Sequence, residues 1–183
     1  MRIVLTGVPG TGKTAIADAL AAKGFEVIRL NEIVDRKKLW SGKDGFGSKV
    51  VNLRKLEHEM NKLLSKKRNC IVEGHLACEM KLKCNLVIVC RTKPHVLEKR
   101  LRKRGYPKKK LNENLMCELL DYCTIKSLMN YKRVYEVETS RSVKKNNEEI
   151  MRIMKGDGER FRAGWVRWGR ELRKEVLRED NSF

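Results

Sequence analysis

At 183 residues, 41% of them hydrophobic, the chain has the apolar content of one folded domain with a sizeable core, which excludes a disordered polymer and a multidomain motor. Lys and Arg number 42 against 23 acidic residues, a formal net charge of +19, so polyanions such as nucleotides or RNA are favoured partners unless the excess is spread over solvated helix faces. No apolar run reaches the roughly 20 residues of a membrane span, and no signal peptide is expected before the first strand, so the reading is a cytoplasmic protein without a membrane partner.

In chain order, the first element is the apolar run RIVLT (2–6), which reads as a strand. The alanine-rich TAIADALAAKG follows as a helix that stops at Gly24. EVIRL (26–30) is a second strand, and residues 31–52, with Gly42, Gly45 and Gly47, read as an irregular segment. In LRKLEHEMNKLLSKK, Leu53, Leu56, Met60, Leu63 and Leu64 recur near the 3.6-residue period of a helix. CIVE (70–73) and LVIVC (86–90) are strands, HVLEKRLRKRG is a helix ending at Gly105, and RKRGYPKKK (102–110) holds six basic residues in nine. LNENLMCELLDYCTIKSLM reads as one longer amphipathic helix, and VYEVE (134–138) as the fifth strand. Strands alternating with helices predict an α/β fold with a parallel five-stranded sheet flanked by helices on both faces. Segments 31–52 and 102–110 then fall at the sheet's C-terminal side, where open α/β folds bind ligands, and read as covers over a site.

Beyond KGDG (155–158), Phe161, Trp165, Trp168, Leu172 and Val176 are spaced 4, 3, 4 and 4 residues apart, which predicts a basic, tryptophan-bearing C-terminal helix over 156–183. It either docks back on the domain or faces a partner or RNA, because Trp and Arg are favoured interface anchors. The six cysteines show no C-x-x-C spacing, and Cys70 and Cys90 sit in apolar runs, so reduced structural thiols are expected.

The chemistry is carried by Gly7–Thr14, G-V-P-G-T-G-K-T, a full match to G-x-x-x-x-G-K-[ST] with a strand before it and a helix after it. Gly10 and Gly12 let successive N–H groups turn inward to phosphate oxygens, and the helix N-terminus adds its positive end. Lys13 brings a full charge to the β/γ-phosphates, and the Thr14 hydroxyl is placed to bind Mg2+. A nucleoside triphosphate is therefore the expected ligand. No N-K-x-D motif reads a guanine, so a GTPase is disfavoured against a small kinase. After the third strand, Glu73 could order metal-bound waters or the acceptor, and His75 could position an attacking water or acceptor hydroxyl. His58 and His95 lack such a setting and read as surface residues.

With these motifs together, the chain resembles the adenylate kinase isoenzyme 6 family of archaea and eukaryotes. The resemblance rests on the phosphate loop, the acidic-x-His pair, and CRTKPHVLEKRLRKRGYPKKKLNENLMCELLD, and it covers about residues 1–155. Known eukaryotic members show Asp-x-His where this chain has Glu73-Gly74-His75. The resemblance implies a P-loop nucleoside monophosphate (NMP) kinase fold with an NMP-binding segment (31–52) and a lid (102–113). It implies phosphate transfer from ATP to AMP, with weak ATP hydrolysis and a role in small-ribosomal-subunit assembly and rRNA processing. It places Gly10, Gly12, Lys13, Thr14, Ala15, Arg104 and Arg141 at ATP and Arg36 at the acceptor phosphate. Its implied partners are the universal small-subunit ribosomal protein eleven and rRNA. Two rival readings stand beside it: an ATPase assembly factor acting on a ribosomal protein with its RNA, and a kinase of another small molecule such as shikimate.

Overall fold

The computed structural model describes residues 1–173. Its five-stranded sheet runs β2-β5-β1-β6-β7, built from Arg2–Thr6 (β1), Glu26–Arg29 (β2), Cys70–Glu73 (β5), Leu86–Arg91 (β6) and Val134–Glu138 (β7), all neighbours parallel. The fold class expected from the sequence is thus the one observed. A two-stranded antiparallel ribbon of Trp40–Lys43 (β3) and Lys49–Val51 (β4) stands apart from it.

The sheet is apolar on both sides, as a parallel sheet covered by helices must be. Ile3, Leu5, Ile71, Ile88 and Val137 pack with Ile16, Ala17 and Leu20 of α1 (Lys13–Ala21) and with Ile150 and Ile153 of α7 (Val143–Met154). Val4, Val72, Val87 and Val89 face the other way. They meet Ile33 and Val34 of α2 (Leu30–Arg36), Leu56, Met60 and Leu64 of α3 (Leu53–Ser65), and Leu97 and Leu101 of α4 (Pro94–Lys103). Each such Val, Leu, Ile or Met side chain, fully buried, contributes about 1.5–3 kcal/mol. The odd–even alternation along β1 therefore decides which helix layer each residue joins.

Three sequence expectations are corrected. Residues 31–52 are not irregular: they hold most of α2 and the β3–β4 ribbon, whose turn is tied by the Asp44 side chain accepting from the Phe46 and Ser48 amides, both at 2.8 Å. The long helix over 111–129 is two helices, α5 (Lys108–Leu119) and α6 (Tyr122–Asn130). Asp121 breaks it with a left-handed φ of 56°, and its carboxylate pairs with buried Arg91.

The C-terminal helix over 156–183 is the third correction. Residues 156–168 form an irregular strap with one 3-10 turn at Glu159–Phe161, and among the described residues of this tail α-helix is present only at 169–173. The periodic stripe fails because the strap binds the sheet edge instead. Ala163 N donates to Val134 O at 3.1 Å, and Gly164 N and Val166 N both donate to Glu136 Oε2. Phe161, Val166 and Trp168 are buried, so the described part of the tail docks back on the domain. Val176 and residues 174–183 lie outside the described residues.

Candidate functional site

The phosphate loop joins the end of β1 to α1 and lies against β6 and α4. Gly7 has φ +135°, and a Cβ there would run into the carbonyl oxygen of Cys90. Gly10 has φ +94°, and its Cβ would fall 2.8 Å from Leu97 Cδ1 and 2.9 Å from Leu101 Cδ2. These glycines are demanded twice over, by the left-handed backbone and by the closeness of β6 and α4. Inside the loop, Thr11 Oγ1 donates to Val8 O at 2.9 Å, and Lys13 Nζ donates to Gly7 O at 2.9 Å and Val8 O at 3.1 Å. Lys13 is buried, and burial lowers its pKa against the opposing charge of Glu73.

On one side of the loop lies a cleft of about 480 Å³. Gly10, Gly12 and Ala15 line it together with Arg100, Arg104, Thr139 and Arg141. Arg100 bridges its walls: Nη2 donates to Thr139 O at 3.0 Å and Nη1 to Gly10 O at 3.4 Å. On the other side is a cleft of about 600 Å³, formed by Val8 and Pro9 of the loop, α2 and the β3–β4 ribbon, His75, and Tyr106, Lys110 and Asn114 of the lid. Lys110 Nζ donates to Ser48 Oγ at 2.5 Å, joining the lid to the ribbon. The segment expected as a lid is a helix–turn–helix formed by the end of α4, residues 104–107 and the start of α5.

His75 opens the 3-10 turn after β5 and faces the second cleft. Burial, with the charges of Lys13 and Lys110, pushes its pKa down to about 4, so the imidazole is neutral near pH 7. Glu73 is buried at the end of β5. Burial raises its pKa, while Lys13 and Arg29 pull it back toward ionisation. Glu73 lines neither cleft, and Thr14 is exposed on the first turn of α1. Their hydroxyl and carboxylate oxygens are hard donors of the kind Mg2+ takes alongside water and phosphate oxygens, so the residues present fit that ion.

The structure brings Gly10, Gly12, Ala15, Arg104 and Arg141 into one cleft and sets His75 in the other, with Lys13 buried in the loop that borders both. Arg36 is not brought in. It is the last residue of α2, exposed, and absent from the lining, because α2 turns its Val34 and Asp35 toward the cleft instead. Lys49 and Lys110 are the lysines that line the second cleft. Arg100, Thr139 and Lys110 line the two clefts without being singled out by the sequence. Arg100 lies four residues before Arg104, one helical turn away on α4, and that spacing was the available signal. Thr139 follows the last strand and carried no sequence signal. All six cysteines are free thiols, as expected. Among the described residues no helix is long and apolar enough to cross a membrane.

Comparison with known proteins agrees with this geometry. The AAA domain family matches residues 3–121. A protein from Methanocaldococcus jannaschii named "Putative adenylate kinase" is 37% identical over 92% of this chain and 93% of its own. A namesake from Pyrococcus abyssi is 36% identical over 97% and 96% of the two lengths. Among solved structures, shikimate kinase from Bacteroides thetaiotaomicron superposes with a TM-score of 0.58 at 19% identity, covering 85% of this chain and 98% of that one. Deoxyadenosine kinase from M. mycoides with bound dATP gives 0.55 at 18% identity, covering 85% of this chain and all of that one. These two likenesses show the shared fold. Two clefts flanking a phosphate loop, on a parallel sheet shared with small kinases and in a sequence more than a third identical to these archaeal proteins over nearly their full lengths, mean that the chain belongs to the phosphate-loop kinase family that they form.

Proposed function

We propose that the chain is a nucleoside monophosphate kinase of the adenylate kinase type, moving the γ-phosphoryl group of ATP to AMP. One observation carries the reading: a single lid turn, residues 103–110, lines both clefts, with Lys103 and Arg104 on the donor side and Tyr106 and Lys110 on the acceptor side. Such a turn closes over two ligands at once and excludes water between them. The name of the archaeal relatives, adenylate kinase, supports a nucleotide on each side.

In this reading ATP lies in the donor cleft with its phosphates on the loop N–H groups. Arg100, Arg104 and Arg141 surround it, and Lys13 meets the charge that develops at the β/γ bridge. A phosphate oxygen of AMP forms the new bond to Pγ as the bond from Pγ to the β-bridging oxygen breaks, leaving two ADP. Thr14 and Glu73 would hold Mg2+, directly or through water, and the ion supplies charge neutralisation when bound. Neutral His75 holds the acceptor by hydrogen bonding without adding a competing charge, and Lys49 and Lys110 balance its phosphate. Where AMP is absent and water takes its place, slow ATP hydrolysis follows.

The test is ADP formation from ATP with and without AMP, with shikimate and other nucleoside monophosphates as rival acceptors. AMP raising turnover well above the ATP-only rate is expected, and no acceleration by AMP sinks the reading. The charge of +19, with Arg102, Lys103, Arg104, Lys108 and Lys109 all exposed on the lid, favours a second role at an RNA-rich assembly such as the maturing small ribosomal subunit with its protein eleven. Salt-sensitive binding to small-subunit rRNA that changes with ATP would support that role, and nucleotide-independent binding would count against it.

A further inference from the structure

An unbroken run of buried hydrogen bonds joins the C-terminal strap to the phosphate loop. Trp168 Nε1 donates to Glu118 Oε1 at 2.9 Å. The same oxygen accepts from the Thr92 amide at 3.1 Å and from Arg91 Nε at 2.8 Å. Thr92 Oγ1 lies 2.7 Å from Thr139 Oγ1, and the Thr139 hydroxyl reaches the carbonyl oxygens of Thr11 and Arg91, each at 2.8 Å. A hydroxyl carries one proton, so Thr139 shares its proton between those two carbonyls in a three-centre bond, and Thr92 is the donor between the two threonines. Glu118, Thr92, Thr139 and Thr11 are each no more than 2% exposed, and in so dry a setting every link is strengthened and every broken one is costly.

The last link sets the ligand-facing backbone. Among the described residues no peptide bond is cis, so the Thr11 carbonyl and the Gly12 N–H point in opposite directions from one plane. With the carbonyl held toward Thr139, the Gly12 N–H is held away from it, and Gly12 lines the donor cleft.

We infer that Trp168 is a positioning residue for the phosphate loop, fixing the Gly12 N–H through Glu118, Thr92 and Thr139. The strap is then part of the donor site's machinery although it touches no ligand. The inference rests on the proposal that this loop holds ATP and is independent of which acceptor is used.

The test uses the full chain and four variants. Thr92→Val removes the hydroxyl link but keeps the amide bond to Glu118, and Thr92→Ser restores the hydroxyl. Trp168→Phe removes the indole donor. Trp165→Phe is the control, because its Nε1 donates at 3.0 Å to Glu136 O on the same strap but outside the run. Amide exchange over residues 8–14, the Kd for a fluorescent ATP analogue and the KM for AMP are measured together with Tm. Thr92→Val and Trp168→Phe should each weaken ATP binding by about fivefold, the worth of one hydrogen bond, and speed exchange at Gly12 with the AMP KM unchanged. Thr92→Ser should recover both, and Trp165→Phe should lower only Tm. Equal effects of the two tryptophan variants, or a Thr92→Val protein with native exchange and affinity, overturn the inference. If Trp168→Phe does not fold, Thr92→Val, with its strap intact, decides. A wild-type chain that binds no ATP defeats the functional reading instead, and the exchange measurement still reports on the link.

Discussion

The two clefts beside Lys13 are built in opposite ways. The cleft proposed for the donor joins the phosphate loop and α1 to the end of α4, the β7–α7 connection and α7, and its loop is held by main-chain geometry: positive-φ glycines wedged against Cys90, Leu97 and Leu101, with Arg100 and Thr139 clamping loop carbonyls. The cleft proposed for the acceptor is assembled from α2, a two-stranded ribbon and the segment read as the lid, tied across its rim by Lys49 to Asp35 and Lys110 to Ser48. Such partly exposed ties are worth little individually, about 0–1 kcal/mol each. On the proposed function, the half that holds a triphosphate in one geometry is preorganised, and the half that opens to admit and release an acceptor is laced together with weak, reversible contacts.

Substitutions should separate the two halves, beginning with the largest effect. Lys13→Met removes the charge aimed at the transferring phosphoryl group and should cut kcat by about a hundred- to a thousand-fold, read as ADP formation. Gly10→Ala forces a Cβ into Leu97 and Leu101 at φ +94°, and should cost about 1–3 kcal/mol in denaturant unfolding and weaken ATP more than AMP. Lys110→Ala opens the lid–ribbon tie and should raise the AMP KM by about two- to tenfold with the ATP KM unchanged, in line with a lost charge-assisted hydrogen bond at a solvated rim. An equal rise in both would mean that the lid serves the halves jointly and would break the comparison.

His75 gives a subtler probe. Its pKa is about 4 in the folded protein against 6.5 ordinarily, so between those values the unfolded chain binds a proton that the folded chain refuses. Stability from this group is complete above pH 6.5 and falls as the pH drops toward 4. His75→Gln should flatten the Tm profile in that window and leave the profile above pH 7 unchanged. A kcat limb near pH 6.5 that vanishes in the variant would show a titrating imidazole and overturn the neutral assignment. The smallest effect is expected at Arg36→Ala, within about twofold in every kinetic constant, because an exposed residue outside the cleft lining falls in the class of near-neutral surface changes.

The legible parts of the site share a physical trait. Gly10, Gly12, Lys13 and Thr14 lie within five residues, so their geometry is set by local backbone sterics and a fixed strand–loop–helix context. His75 was legible because the end of a strand beside that loop is a fixed place in a parallel sheet. Arg36 falls outside the cleft lining because a helix's rotation about its axis, which turns Val34 and Asp35 inward, is set by packing against the sheet and not by sequence spacing. Asp121 shows the same limit. The amphipathic pattern runs through it, yet the buried Arg91 beneath it recruits its carboxylate and bends the chain into a left-handed turn.

The sequence by itself determined the strand–helix alternation, the parallel sheet, the phosphate loop and the glycines that it needs, because each follows from periodicity or from sterics over a few residues. Only the tertiary structure decided that residues 31–52 fold into a helix and ribbon, that the lid spans both clefts, and that the tryptophan-bearing tail becomes a strap. The stripe of Phe161, Trp165 and Trp168 fits a helix by spacing. The unpaired edge of β7 and the buried carboxylates of Glu118 and Glu136 offered its backbone and indole N–H groups better partners than a helix could. Those partners lie roughly 30 to 50 residues away in the chain, a separation that local pattern does not encode and that only burial of charge and hydrogen-bond donors together resolves.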